Sequence, residues 1–277
     1  MDEERAARVG LVTAGPSTEE IRRAVAREGP EAVWARERAT ASELDLAGML
    51  DLYARGGWRV LIPGDREWPR SLAAAGSAAP LALWVHGHGD LAEAAERAVA
   101  VTGGRMPSRA GRRTVRLLAG EMAQAGWTVL TLLMPGVSLA ALDAAWWAQG
   151  PAPVAVGTHS VEEARLEYWP GLRVSAVPPG PPGDRRSRLA HPHLLVAMAA
   201  GTVLVEPAHE PTALAMAARA RRLDRPLMAL PGPSSSSRHR LANRLLRDGH
   251  AHPVTDARDI TRRLPAPPVT GPAGHLA

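Results

Sequence analysis

Val99-Ala100-Val101-Thr102-Gly103-Gly104-Arg105-Met106-Pro107-Ser108-Arg109-Ala110-Gly111 decides the fold. An apolar run of strand length, 98–102, passes directly into glycines and then into a helical pattern over 109–125. Such a turn leads a buried strand into a helix, the step from which parallel sheets are built. Outward from it the alternation continues, with apolar runs at 81–85, 128–133, 154–156, 203–205 and 227–230 and helix-length segments at 137–149, 190–200 and 211–223. Strands that are apolar on both faces and separated by helices imply an α/β fold, a Rossmann-like parallel sheet flanked by helices.

Upstream the texture differs. Helical patterns cover 2–12, 17–27, 30–38 and 41–55, the second opening with a capping box formed by Ser17 and Glu20. Pro63-Gly64-Asp65 and Ala78-Ala79-Pro80 punctuate the stretch at 60–80. The reading is a small all-α domain at 1–62, an α/β domain at 63–264 and a flexible tail at 265–277. Residues 178–188, rich in Pro, Gly and Arg, read as a mobile basic loop, and the Ser234–Ser237 run as a second flexible loop.

Composition narrows the function classes. In 277 residues, 45% are hydrophobic and 22% charged, which excludes wholesale disorder, collagen and coiled coil. No apolar stretch approaches the roughly 18–20 residues that span a bilayer, and the first thirty residues lack the apolar core of a signal peptide, so the expectation is a cytoplasmic protein without membrane contact. Without cysteine there is no disulfide, thiolate zinc site or cysteine nucleophile. All 33 basic residues are arginine, and the net charge of +5 is unevenly spread. Residues 1–60 carry 9 Arg against 11 acids, whereas 219–263 carry 11 Arg against 4 Asp, a surface able to face an anionic polymer or simply a solvated arginine-rich helical face.

The glycine turn is the best site candidate. Gly103, Gly104 and Gly111 allow close approach of an anion, the helix start offers N–H groups and its positive dipole end, and Arg105 can clamp a phosphate, although glycines before a helix also occur as plain turns. Ser138, after Met134-Pro135-Gly136-Val137, reads as the cap of the helix at 137–149, with contact to the same ligand as the alternative. His191 and His193 have no carboxylate or cysteine at ligand spacing, so neither a metal nor a cofactor is expected. No nucleophile elbow, Walker A loop or carboxylate pair is present, so no catalytic residue is assigned. In a chain without Phe, the eight Trp are expected to fill the core rather than to stack on bases.

The sequence resembles the DprA/Smf family of bacterial DNA-processing proteins over roughly residues 1–263. GDREWPRSLAAAGSAAPLALWVHG at 64–87 is similar to that family's entry into its Rossmann-like domain, and VAVTGGRMPSRAG at 99–111 to its Val-Gly-Ser-Arg turn, with Gly103, Arg105, Ser108 and Gly111 matching. LLVAMAAGTVLVEPA at 194–208 is similar to its helix-strand unit ending in Val-Val-Glu-Ala. RPLMALPG and NRLLRDGHAHPVTDARDI are similar to its closing strand and its Asn-Arg-Leu-Ile-Arg-Asp-Gly segment.

There are departures. The family's Ser-Gly-x-Ala-x-Gly-Ile-Asp falls on residues 131–138 and keeps only Gly136, its Asp becoming Ser138, and the family's Arg-Asn-Arg falls on His191-Pro192-His193. Its Ser-Gly before the Thr-Ala helix falls on Pro211-Thr212 and that helix's Thr on Met216, so a retained core carries an altered pocket, as in a divergent paralogue.

The resemblance implies a SAM-like helical domain and a Rossmann-like domain that binds single-stranded DNA, dimerises, hands the strand to a RecA-type recombinase and performs no catalysis. The implied nucleic-acid contacts are Gly103, Gly104, Arg105, Ser108, Gly111 and Gly136, then Asn243 and Arg247, with Arg185, Arg186, Arg188 and the 219–247 arginines as a basic flank. His191 and His193 would donate to phosphate when charged, strengthening binding below about pH 6.5. The winged-helix domain that ends many relatives has no counterpart in the fourteen residues after the last predicted helix. Two alternatives stand beside this expectation: a pocket adapted to a nucleotide-type ligand, and a scaffold that acts through protein contacts with an intact relative.

Overall fold

The computed structural model describes residues 2–15, 18–38, 44–157, 171–179, 187–208 and 211–265. Four helices come first: α1 Glu3–Ala14, α2 Glu19–Glu28, α3 Pro30–Glu37 and α4 Leu46–Arg55. Asp2, Thr18 and Asp45 cap α1, α2 and α4 through their side chains. The cap of α2 is thus Thr18, which accepts from Ile21 N–H at 3.2 Å, one residue beyond the Ser17 expected from the capping-box pattern. The start expected at 41 for the fourth helix lies outside the described residues; the described helix begins behind Asp45, which accepts from Gly48 N–H at 2.9 Å.

The apolar sides of these helices, Val9, Leu11, Val12, Val25, Val33 and Tyr53, close on Ile62, Leu81, Ala82 and Trp84. The helical layer therefore shares its core with the edge of the sheet. β1 Trp58–Leu61, inside the segment assigned to the all-α domain, pairs antiparallel with β2 Leu83–His86, Leu61 opposite Leu83. Four residues of mixed polarity gave no period to read. The Pro63-Gly64-Asp65 turn is clasped to α1: Arg5 donates to both Asp65 oxygens at 2.8 and 2.9 Å, and Asp65 also accepts from Ile62 N–H at 2.7 Å. The guanidinium holds the Asp65 carboxyl below its ordinary range.

After a 3-10 stretch, Arg70–Ala78, the chain alternates: α5 Leu91–Glu96, β3 Ala98–Gly103, α6 Arg109–Gln124, β4 Thr128–Leu132, α7 Val137–Trp147, β5 Val154–Val156, β6 Leu172–Ser175, α8 Ser187–Met198, β7 Gly201–Val205, α9 Pro211–Arg222, β8 Leu227–Ala229, α10 Arg240–Arg247, β9 His252–Pro253 and α11 Ala257–Arg263. Among the described residues the sheet order is β1-β2-β6-β5-β4-β3-β7-β8-β9, parallel from β6 through β9. β6, like β1, is not among the strands expected from sequence. α8 starts at Ser187, so the last residues of the expected basic loop, 187 and 188, are helical.

β3 shows how the two layers arise. Val99 and Val101 pack toward Val115, Leu118 and Met122 of α6, Ala141 of α7 and Ile260 of α11. Ala98 and Ala100, pointing the other way, belong to the core of Leu194, Leu195 and Met198 of α8, Met216 of α9 and Leu245 of α10. Trp127 is buried in the core on the α6 side and Trp84 in the core shared with the helical layer, whereas Trp147 stands 79% exposed and does not fill one. From β3 the chain proceeds outward through β4 to β6, then returns to the other side of β3 for β7 and beyond. The carboxyl ends of β3 and β7 are the switch point of the sheet, where α/β folds open a crevice.

Candidate nucleic-acid interface

At that point β3 and β7 run side by side to their last residues, Gly103 opposite Val205. A Cβ on Gly103 would run into the Val205 carbonyl, and one on Gly136, whose φ is +91°, into the carbonyls of Gly104 and Arg105. The glycines are required by close approach of the protein's own backbone. They draw the β3–α6 turn, the start of α7 and the end of β7 into one place, joined by Gly104 N–H to Val205 O at 3.1 Å and Val137 N–H to Gly104 O at 3.0 Å.

The anion position at the start of α6 is already filled. Glu206, 3% exposed and with a φ of +43°, accepts from Ser108 N–H at 2.6 Å and from Ser108 Oγ–H at 2.5 Å, while Ser108 Oγ caps Gly111 N–H at 2.9 Å. A Cβ on Gly111 would fall 2.5 Å from the Glu206 carboxyl carbon, so Gly111 makes room for this carboxylate. A helix N-terminus favours negative charge, and here the chain supplies it. His239 Nε2 lies 3.8 Å from Glu206 Oε1, and its Nδ1 is 3.1 Å from Ser236 Oγ. Together with Thr114, Leu230, Pro231 and Gly232 these residues line a cleft of about 390 Å³.

Positive charge stands on the glycine turn and on the face of α6 turned away from the cleft-lining Ala110, Gly111 and Thr114. Arg105 is exposed and makes no hydrogen bond or ion pair among the described residues. Arg109, Arg112, Arg113 and Arg116 follow on α6 at spacings 0, 3, 4 and 7, all exposed and without an ion-pair partner among the described residues. No acid occupies the first turn of α6, so Arg109 opposes the helix dipole there. Helix stability supplies no reason for this stripe. Arg238, exposed on the far rim, donates to Met106 O at 3.1 Å and ties the glycine turn to the loop before α10.

The structure thus brings together Gly103, Gly104, Arg105, Ser108, Gly111 and Gly136. Asn243 is spent on the loop: its Nδ2 donates to Gly232 O at 2.9 Å and its Oδ1 accepts from Gly232 N–H at 3.2 Å. Arg247 is exposed and donates to Asp248 at 3.2 Å. Arg185 and Arg186 lie outside the described residues, and of Arg188 only its place on α8 is described. Ser138 does not cap α7, whose N-cap is Gly136; it is buried and shares a 3.1 Å hydrogen bond with Thr102 Oγ1.

His191 is buried, its Nε2 2.8 Å from Ser175 Oγ. His193, half-buried, faces elsewhere. Burial first, then Arg219, Arg222 and Arg22, push its pKa down, so the ring takes its charge at a lower pH than the 6.5 or so of a free imidazole. Among the described residues no three His, Asp or Glu side chains converge as a metal site.

Sequence reading missed Glu206, His239 and the α6 stripe, whereas Arg238 lies among the 219–247 arginines expected as a basic flank. The stripe was readable from its spacing. Glu206 carried a weaker sign, as the single acid that ends an otherwise apolar strand.

The model of DNA recombination-mediator protein A matches residues 59–265. A Mycobacterium tuberculosis protein named for DNA processing, DprA, is 34% identical over 247 residues, covering 82% of this chain; the chain spans 63% of the length of that relative. Among solved structures, DNA processing protein A of Streptococcus pneumoniae superposes with a TM-score of 0.75 at 17% identity, covering 96% of this chain and 99% of that one. DNA processing protein A of Helicobacter pylori, a structure described for its single-stranded DNA binding mode, gives 0.62 at 19% identity, covering 74% and 94%. These two establish the likeness of fold, and the matched residues run from β1 to just past α11. The chain belongs to the DNA recombination-mediator protein A family.

Proposed function

We propose that this protein binds single-stranded DNA along the rim of the β3–β7 crevice, with Arg105 and the α6 stripe on the phosphates, and acts in DNA processing or recombination. The observation that carries this reading is the run of exposed arginines unpaired among the described residues, Arg105, Arg109, Arg112, Arg113 and Arg116, beside the switch point of a fold shared with DNA processing protein A. Exposed guanidiniums without acids suit a polyanion, which they bind with release of its counterions. Glu206 holds the α6 N-terminus, so the strand passes outside it. Backbone contacts of this kind give little sequence preference. A RecA-type partner, a homodimer, a cytoplasmic location and the absence of a catalytic step belong to the same proposal. Among the described residues no helix is long and apolar enough to cross a membrane.

The test is fluorescence anisotropy of a labelled single-stranded oligonucleotide over a salt series, with duplex competitor. Wild type should bind with affinity that falls steeply with salt. Arg105→Ala should weaken binding about tenfold and lower the salt slope by about one. A flat salt response, or an unchanged slope in the variant, sinks the reading. A second reading, a nucleotide-type ligand, draws on the 390 Å³ cleft with Ser108, Glu206 and His239 on its wall. A mononucleotide that raises the melting temperature while oligonucleotides do not would favour it.

A further inference from the structure

A second concentration of arginines sits apart from the crevice, in the seam between α2, the 3-10 stretch at 70–78 and the outer faces of α8 and α9. Arg219 of α9 is only 6% exposed. One terminal nitrogen donates to Ala78 O at a long 3.3 Å, and its Nε is buried without a partner among the described residues. Arg22 of α2 donates through Nε to the adjacent carbonyl, Ser77 O, at 3.1 Å. Arg222, one turn beyond Arg219 and exposed, and His193 of α8 complete the group.

The charges that act on Arg219 are Arg222 and Arg22, and those that act on His193 are Arg219, Arg222 and Arg22, all of one sign. On α2, Glu19 acts on Arg22 and pairs with Arg23 at 2.5 Å, and neither Glu19 nor any other acid acts on Arg219. A guanidinium keeps its charge at any pH a protein survives, and a buried charge is expensive unless it is paired. Here the charge is buried and, among the described residues, its pairing is incomplete.

We infer that the seam is a binding site for a phosphate group, held by Arg219 and Arg222 with His193 and Arg22 at its sides, and that the bound anion links the helical layer to the sheet. Phosphate fits because the donors are guanidiniums, which present parallel N–H bonds to tetrahedral oxyanions, and because one of them is already fixed in place by packing. The phosphate comes from a small soluble phosphate or from a nucleic-acid backbone; the chemistry at the seam is the same for both. This site does not depend on the crevice reading, since none of its residues lines the crevice.

The experiment is thermal unfolding of the full chain titrated with sodium pyrophosphate against sodium chloride at matched ionic strength. Wild type should gain melting temperature in pyrophosphate with a saturating dose response. Arg222→Gln, an exposed substitution that leaves the fold intact, should weaken the apparent pyrophosphate affinity about tenfold, and Arg219→Met should abolish the response if it folds. Arg105→Ala should leave the response unchanged, which keeps this site separate from the crevice. Oligonucleotide anisotropy on Arg222→Gln then identifies the source: a matching tenfold loss points to the nucleic-acid backbone, and unchanged oligonucleotide binding to a small phosphate. No pyrophosphate-specific stabilisation of wild type, an undiminished response in Arg222→Gln, or a response lost in Arg105→Ala overturns the inference.

Discussion

The crevice and the seam solve opposite electrostatic problems. At the crevice the buried charge is negative and satisfied, with Glu206 taking two hydrogen bonds from Ser108, and the unpaired arginines stand outside in water. At the seam an arginine is inside and no acid among the described residues balances it. Unpaired arginines in solvent cost the fold little and attract a long polyanion at range, whereas a buried one calls for a compact anion at contact distance. Exposure, more than arginine content, separates the two regions.

The largest test of the contrast concerns how rigidly the crevice is built. Gly103→Ala places a methyl group into the Val205 carbonyl and forces β3 and β7 apart at their last residues. The expected cost is about 3 kcal/mol, the upper part of the range for overpacking, read from urea unfolding. A loss under about 1 kcal/mol would mean that the crevice relaxes, and that the glycine is kept for a ligand instead of for the backbone.

Glu206→Gln comes next. It keeps the shape but replaces one accepting oxygen with an amide, so a charge-assisted bond at the α6 N-terminus is lost, at about 2 kcal/mol of stability. With the negative charge gone, oligonucleotide affinity should rise about threefold on the scale of nearby single-charge effects. Reduced affinity would show instead that the carboxylate touches the ligand.

How much of this was written in the sequence differs between the regions as well. β3, β4, β5, β7 and β8 announce themselves as apolar runs because both faces of each strand are buried. β1 and β6 do not: they lie toward the edge of the sheet, where Arg59 reaches Glu67 and Arg173 lies over the Trp58 ring, so polar residues interrupt the pattern. The glycine turn is legible as a turn, but its anion is Glu206, about a hundred residues away: the acid at the end of an apolar strand is visible in the sequence, while its pairing with Ser108 is a tertiary fact. His191 and His193 looked equivalent by spacing, yet one bonds Ser175 and the other faces Arg219, because residues two apart point to different sides of a helix. Arg219 is the first of the 219–247 arginines expected as a basic flank, yet it is buried, where α2 and the 3-10 stretch meet beside it.

Asp65→Asn supplies the control for the seam, since the Arg5–Asp65 pair joins the same helical layer to the sheet with its charges matched. Both side chains are about a quarter exposed, and the loss should be about 1–2 kcal/mol at neutral pH, as for a partly buried charged hydrogen bond. Because Asp65 titrates lower in the folded chain than the usual 3.9 or so of an unfolded one, its contribution is complete above that value and disappears as pH falls through the folded pKa. Variant and wild type should therefore converge in acid, below the folded pKa of Asp65; a difference that persists there would assign the cost to packing.

The smallest expected effect, on His193, reads the seam directly. The unfolded chain protonates this ring near pH 6.5, whereas the folded chain, with burial and three arginines against the charged form, does so only at lower pH. Between those two values the unfolded state binds more protons, so stability should fall as pH drops below about 6.5, and His193→Gln should flatten that part of the curve without changing stability at pH 8. Guanidinium midpoints between pH 5 and 8 measure it. A phosphate in the seam would bring opposite charge beside the ring and raise its folded pKa, so repeating the series in saturating pyrophosphate should shrink the acid loss or reverse its sign. If the slope is the same with and without pyrophosphate, the anion is not beside His193, and the seam's arginines are balanced in some other way.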